Sequence, residues 1–187
     1  MRKLLAVLLV FGSASTAFGF DRHDDGVHWR GIAGVIGVQG GNNPIGDPQH
    51  AHVDSGTFAW TTRRGEARVN LSTGTMAFHV DGLVINGTAF SGTPGPVTGV
   101  IGTLVCNPGV DGAQALVDTP EVPLSAQGDA DFSGHIGPVP PVCSNPLFLI
   151  RISTPAGALG LWIATGTEQG DRTTETLTRA RRSASPE

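Results

Sequence analysis

Short apolar runs, separated by glycine, proline, asparagine and aspartate, recur along most of this chain. None keeps the 3.6-residue period of an amphipathic helix over about twelve residues, whereas several alternate with the two-residue period of a half-buried strand. About eight or nine short strands are predicted, over residues 32–38, 56–62, 67–71, 76–85, 97–105, 113–117, 130–136, 147–152 and 158–164. The first is interrupted by glycine and is either a bent strand or a loop. This pattern predicts an all-β fold, a β-sandwich or a flattened barrel.

Two of these strands predict a hairpin, because segments 67–71 and 76–85 flank the turn residues Ser72, Thr73 and Gly74. Segments 147–152 and 158–164 hardly alternate, which favours strands that are covered on both faces. Segment 67–86, ARVNLSTGTMAFHVDGLVIN, resembles the hairpin of CHRD-type secreted β domains, where a strand pair ends in a Gly-Leu step. The His-x-His-x-Gly motif expected after it is absent, so the resemblance implies no function for this chain.

The two ends of the 187-residue chain differ from its middle. Arg2 and Lys3, an apolar run over residues 4–11 and small residues after it predict a signal peptide at 1–19. The apolar run is too short to cross a bilayer of about 30 Å as a helix, so no integral membrane anchor is expected. Residues 20–168 are predicted to form a single β domain. Residues 169–187 contain one leucine as their only large apolar residue and are predicted to be a disordered tail.

The charge of the exported chain limits its partners. Without Arg2 and Lys3, ten basic residues face sixteen acidic ones, a net charge of −6, and no lysine remains. Such a chain is expected to bind neither nucleic acid nor an anionic membrane surface, because both require clustered positive charge. An unknown protein or glycan partner stays open, and the expected location is secreted or periplasmic.

Cys106 and Cys143 are the only cysteines, and each stands just before an Asn-Pro pair. An even number of cysteines in an exported protein predicts a disulfide, and closing a loop of this length is worth about 4 kcal/mol. Two buried free thiols are the alternative. A thiolate metal site is disfavoured because neither cysteine belongs to a Cys-x-x-Cys pair.

A metal site is the sharpest chemical candidate in the sequence. His50, His52 and Asp54 are spaced two residues apart, so on a strand they share one face and could bind Zn²⁺ or Cu²⁺. His23 and His28, near the new N-terminus, are possible helpers. The alternative is a solvated edge strand with three polar residues on one face.

Other candidates have less specific patterns. Ser133 and His135, with Asp131, suggest a hydrolase, but side chains two apart on a strand lie about 7 Å apart, too far for the required hydrogen bond. Oxygen ligands for Ca²⁺ could come from aspartates that lack EF-hand spacing, at positions 81, 111, 118, 129 and 131.

The tryptophans suggest a carbohydrate surface only if one of them is exposed. Trp60 and Trp162 lie in apolar runs and are expected in the core, whereas Trp29 is the candidate for an exposed ring. The leading interpretation is a secreted, non-enzymatic module with a structural or binding role. A metal-binding protein is the alternative, and an extracellular hydrolase is the third hypothesis.

Overall fold

A computed structural model describes residues 26–37, 43–45, 53–110, 113–154 and 159–168. The predicted signal peptide and C-terminal tail lie outside these residues, and the domain limits stay a prediction. The described residues form eleven β-strands and no helix, which confirms the all-β prediction. The strands are β1 Gly26–Gly34, β2 Ala59–Thr61, β3 Arg64–Asn70, β4 Thr75–Asp81, β5 Val84–Asn86, β6 Gly99–Cys106, β7 Ala115–Asp118, β8 Val122–Pro123, β9 Ala130–His135, β10 Leu147–Ser153 and β11 Leu159–Glu168.

Nine of the strands form one antiparallel sheet in the order β7-β6-β10-β11-β1-β3-β4-β9, in which β8 also pairs with β6. The sheet curls into a half-barrel, and β2 and β5 form a small second sheet. Strand β1 lies between β11 and β3. The described strands nearest the two ends of the chain therefore meet inside the sheet.

The hairpin of β3 and β4 forms as predicted. Residues along both strands alternate between buried and outward-facing positions. Asn70 Oδ1 accepts hydrogen bonds from the N–H groups of Ser72 (3.1 Å) and Thr73 (2.9 Å), and Gly74 has φ 68°, a left-handed conformation that glycine adopts without strain. The predicted strand 76–85 is divided in two, because Gly82 at φ 64° turns the chain and sends β5 into the small sheet.

Aromatic rings from three strands form the centre of the core. The ring of Phe148 lies 5.8 Å from that of Trp29 and 5.5 Å from that of Phe78, centroid to centroid. The prediction of an exposed Trp29 is wrong, since its exposed fraction is 0%. The bare backbone of Gly166 makes the room, because a Cβ there would lie 2.8 Å from Trp29 Cγ. Trp60 and Trp162 are buried, as expected.

The predicted disulfide is present and joins Cys106, at the end of β6, to Cys143. Asn107 reinforces the same connection. Its Nδ2 donates a hydrogen bond to the carbonyl of Val142 (3.0 Å), and its Oδ1 accepts one from the N–H of Ser144 (2.8 Å). The segment around Cys143 is thus held to β6 by one covalent bond and by side-chain hydrogen bonds.

Candidate functional site

One outward-facing surface of the large sheet collects side chains of both charges. Strands β1, β3, β4 and β9 are neighbours, and their inward residues Trp29, Ala67 and Phe78 are buried. Because side chains alternate along a strand, the residues flanking these point away from the core. We term this surface the polar face, formed by His28, Arg30, Arg64, Glu66, Arg68, His79, Asp81, Asp131, Ser133 and His135.

His79 is the centre of the polar face. In the sheet register it lies opposite Glu66 on β3 and opposite Asp131 on β9. Its Nδ1 is 2.5 Å from Asp131 Oδ1 and its Nε2 is 2.9 Å from Asp81 Oδ1. A ring nitrogen must carry a proton to donate to a carboxylate, so this geometry suits the doubly protonated imidazolium.

The charges of this cluster support one another. The hydrogen bond to Asp131 raises the pKa of His79, with a further contribution from Asp81, while partial burial opposes the rise. Arg64 donates to Asp81 Oδ2 from Nε (3.0 Å) and Nη2 (2.6 Å). These bonds, followed by the contact with His79, lower the pKa of Asp81. The His79 cluster, Asp131–His79–Asp81–Arg64, is therefore a chain of alternating charges across three strands.

A shallow cleft of about 270 Å³ adjoins the cluster and is lined by Arg30, Arg64, Gly65, Glu66 and His79. The exposed side chains of Arg30 and Glu66 form no ion pair or hydrogen bond with another residue of the described ranges. The cleft thus presents the positive charge of Arg30 and the negative charge of Glu66, neither of which is in an ion pair within the described ranges, to an approaching surface.

The arrangement around His79 suits binding better than nucleophilic catalysis. Both ring nitrogens are directed at carboxylates, which leaves neither free to accept a proton from a nucleophile. Ser133 and His135 are both exposed on β9, and no hydrogen bond joins them.

The predicted metal ligands are only partly covered by the structure. His23, His50 and His52 lie outside the described residues, whereas Asp54 and His28 lie within them. The Asp54 carbonyl accepts a hydrogen bond from the Trp162 N–H at 2.9 Å, which ties that segment to β11. His28 instead lies on the polar face opposite Arg68. Within the described ranges no three His, Cys, Asp or Glu side chains are placed to hold a metal ion, and the His50/His52/Asp54 site stays a prediction.

The aspartates considered as calcium ligands have other partners where the structure describes them. Asp81 and Asp131 belong to the His79 cluster, Asp129 Oδ1 accepts from the Gly82 N–H (2.9 Å), and Asp118 Oδ1 accepts from Thr103 Oγ1 (2.5 Å). Asp111 lies outside the described residues.

A larger open cavity of about 660 Å³ lies beside the disulfide. Ser72 is the one lining residue with a hydroxyl group, and no lining side chain is charged. The side chains that line this cavity therefore offer no acid–base chemistry. Its lining residues are Gly26, Val27, Leu71, Ser72, Val139, Pro140, Pro141 and Cys143.

The sequence alone did not single out His79. Its partner Asp131 is 52 residues away, and only the pairing of β4 with β9 brings the two together. The described residues contain no helix with the length and hydrophobicity that a membrane crossing requires. Comparison of the chain with protein-family models, curated proteins and solved structures finds no match of any of the three kinds.

Proposed function

We propose that the protein is an exported, non-enzymatic binding domain that contacts a protein partner through the polar face. The observation that carries the proposal is the His79 cluster, in which ion pairs order exposed charged side chains on a sheet. Side chains that are already ordered lose less conformational entropy on binding, so such a surface is prepared for association. The signal-peptide pattern of residues 1–19 and the Cys106–Cys143 disulfide support export.

The alternation of charge favours a folded protein over a charged polymer as the partner. A sulfated glycan or a nucleic acid carries charge of one sign, and half of the alternating positions would repel it. A protein surface presents both signs at fixed positions. A glycan partner is therefore the competing result that the experiment must detect.

Site-specific photo-crosslinking tests this proposal in cells that export the protein. The substitution Ser133→p-benzoylphenylalanine places the crosslinker on the polar face, and the same substitution at Val110 is the control, because Val110 is exposed in the turn between β6 and β7. A discrete adduct from position 133 alone is expected. The crosslinked partner is then purified, and its affinity for this protein must fall when the protein carries Arg30→Glu. The proposal fails if position 133 gives no adduct, if both positions give the same adducts, or if the adduct is a glycan.

A further inference from the structure

In one row of the polar face the signs of the charges alternate across the strands. His28 lies opposite Arg68 and Trp29 opposite Ala67, where the pairing of β1 with β3 ends. Strand β1 is irregular between Trp29 and Gly31, but Arg30 and Glu66 line the same cleft, which places Arg30 near Glu66. Glu66 lies opposite His79, and His79 opposite Asp131. The row across β1, β3, β4 and β9 therefore reads positive, negative, positive, negative, with neighbouring strands about 4.8 Å apart.

A row of this kind is complementary to itself when it is reversed. We propose that the partner of the polar face is a second copy of this chain, packed face to face about a twofold axis that runs along the strands between β3 and β4. The proposal rests on the binding function proposed above and names its partner. Under this symmetry β1 faces β9 of the second copy, and β3 faces β4.

The contacts of the central row join opposite charges. Arg30 meets Asp131 of the second copy, and Glu66 meets His79 of the second copy. Because the axis is twofold, each contact occurs twice. In the next row Arg64 meets Asp81 of the second copy, where the two copies of the existing pair close into a ring of four alternating charges.

The alternative twofold axis, across the strands along the central row, is excluded by the same pattern. It would place Arg30 against Arg30 and Glu66 against Glu66, and like charges that face each other in an interface oppose association. The remaining facing positions of the proposed arrangement bring no like charges together, since Arg68 faces Ala77 and His28 faces Ser133 of the second copy.

The proposed contact also gives ionic partners to Arg30 and Glu66, two of the side chains that have none within the described residues. Arg30 gains Asp131 of the second copy, whose side chain is 73% exposed. Glu66 gains His79 of the second copy, whose two ring nitrogens already face Asp81 and Asp131 within its own chain. Glu66 of the second copy thus adds a further carboxylate beside this imidazolium.

The size of the polar face sets the strength of the dimer. Four strands at about 4.8 Å and about six residues at about 3.4 Å span roughly 20 by 20 Å, or about 400 Å² on each copy. Stable complexes bury about 800 Å² on each partner. The outer side of a half-barrel is also convex, so long side chains such as Arg30 must reach across the rim. A weak dimer that depends on concentration and salt is therefore expected.

Sedimentation equilibrium of the mature protein tests the dimer at an ionic strength of about 20 mM and again at about 0.5 M. We expect dimer at low salt and a dissociation constant at least tenfold higher at high salt. Arg30→Glu and Asp131→Arg each turn two attractive contacts into repulsive ones, so each variant alone should associate at least tenfold more weakly. An equal mixture should associate more tightly than either variant alone, because the introduced glutamate then faces the introduced arginine. It need not reach the wild-type affinity, since Asp131→Arg also removes the bond between Asp131 and His79 of its own chain.

Glu121→Arg is the matched control, since it changes the net charge as Asp131→Arg does but lies outside the polar face, and it should leave the dimer unchanged. Thermal melts show whether each variant is folded. The dimer is refuted if wild type stays monomeric at low salt, if Arg30→Glu dimerises as well as wild type, or if the mixture associates no better than either variant. A monomeric protein that still gives a crosslink to a different protein at position 133 would refute the dimer and leave the binding function intact.

Discussion

Removing the disulfide with the double substitution Cys106→Ala/Cys143→Ala should lower the free energy of unfolding by about 4 kcal/mol. The bond links residues 37 positions apart, and the chain-entropy relation for a loop of that length gives an entropy of about 13 cal/mol/K, or about 4 kcal/mol at 25 °C. The loss acts on the unfolded chain, whose conformational freedom increases. The native loop keeps its position, because the Asn107 hydrogen bonds to Val142 and Ser144 remain.

Urea unfolding of the oxidised wild type and the double variant measures this difference directly. For a domain of this size the corresponding fall in Tm is roughly 8 to 16 °C. Wild type reduced with dithiothreitol should match the double variant, which separates the bond from the side chains. A loss below about 1 kcal/mol would refute the loop-entropy argument. Asn107→Ala in the reduced protein should then cost a further 1–3 kcal/mol, about the value of the buried hydrogen bonds it removes.

Three further predictions concern stability and metal binding. The pKa of His79 is raised in the folded protein. The stability that His79 contributes is therefore complete below its unfolded pKa of about 6.5 and is lost as pH rises through the folded pKa. His79→Gln should lower Tm at about pH 5.5 and have little effect at about pH 9, and an equal loss at both pH values would contradict the ion pairs. Chemical denaturation should show that Gly128→Ala destabilises the protein by more than about 2 kcal/mol, since φ is 83° and a Cβ would overlap a neighbouring backbone carbonyl. Gly109→Ala is the control and should cost only about 1 kcal/mol, because Gly109 has a similar φ of 73° but nothing lies within 4 Å of its Cβ. If the predicted metal site exists, Zn²⁺, Cu²⁺ or Ca²⁺ at a hundred times its Kd should stabilise the EDTA-treated protein by about 2.7 kcal/mol in a thermal melt; His50→Ala/His52→Ala should abolish the shift, and no shift with any of the three metals would end the hypothesis.

The features that the sequence predicted are those set by neighbouring residues. The β3–β4 hairpin depends on its own alternation and on the turn at Gly74, so local pattern suffices. The interior strand predicted at 147–152 is β10, whose middle residues are buried as its unbroken apolar run indicates. The two cysteines form their bond because only one pairing was available.

The features that could not be predicted depend on pairing between distant segments. The sequence predicts a bent strand or a loop at 32–38, whereas β1 is Gly26–Gly34, because β3 and β11 hold it there and its own glycines give little pattern. Strand β8 has two residues, too few for any periodicity. The polar face has the same origin, since the charges of Arg64, Glu66 and His79 are visible in the sequence but their register against β9 is not. The metal candidates His50 and His52 lie outside the described residues and remain untested.

The position of β1 between β3 and β11 has a consequence for the order of folding. Thr167 Oγ1 donates a hydrogen bond to the Gly31 carbonyl across 136 residues of sequence, so the middle of the sheet closes only after nearly the whole chain is available. Proteins dominated by such distant contacts fold slowly. A chain stopped before β11 would leave β1 and β10 with unpaired edges, which are sites of intermolecular pairing and aggregation. During synthesis this protein should therefore depend more on being kept unfolded than on folding as it emerges.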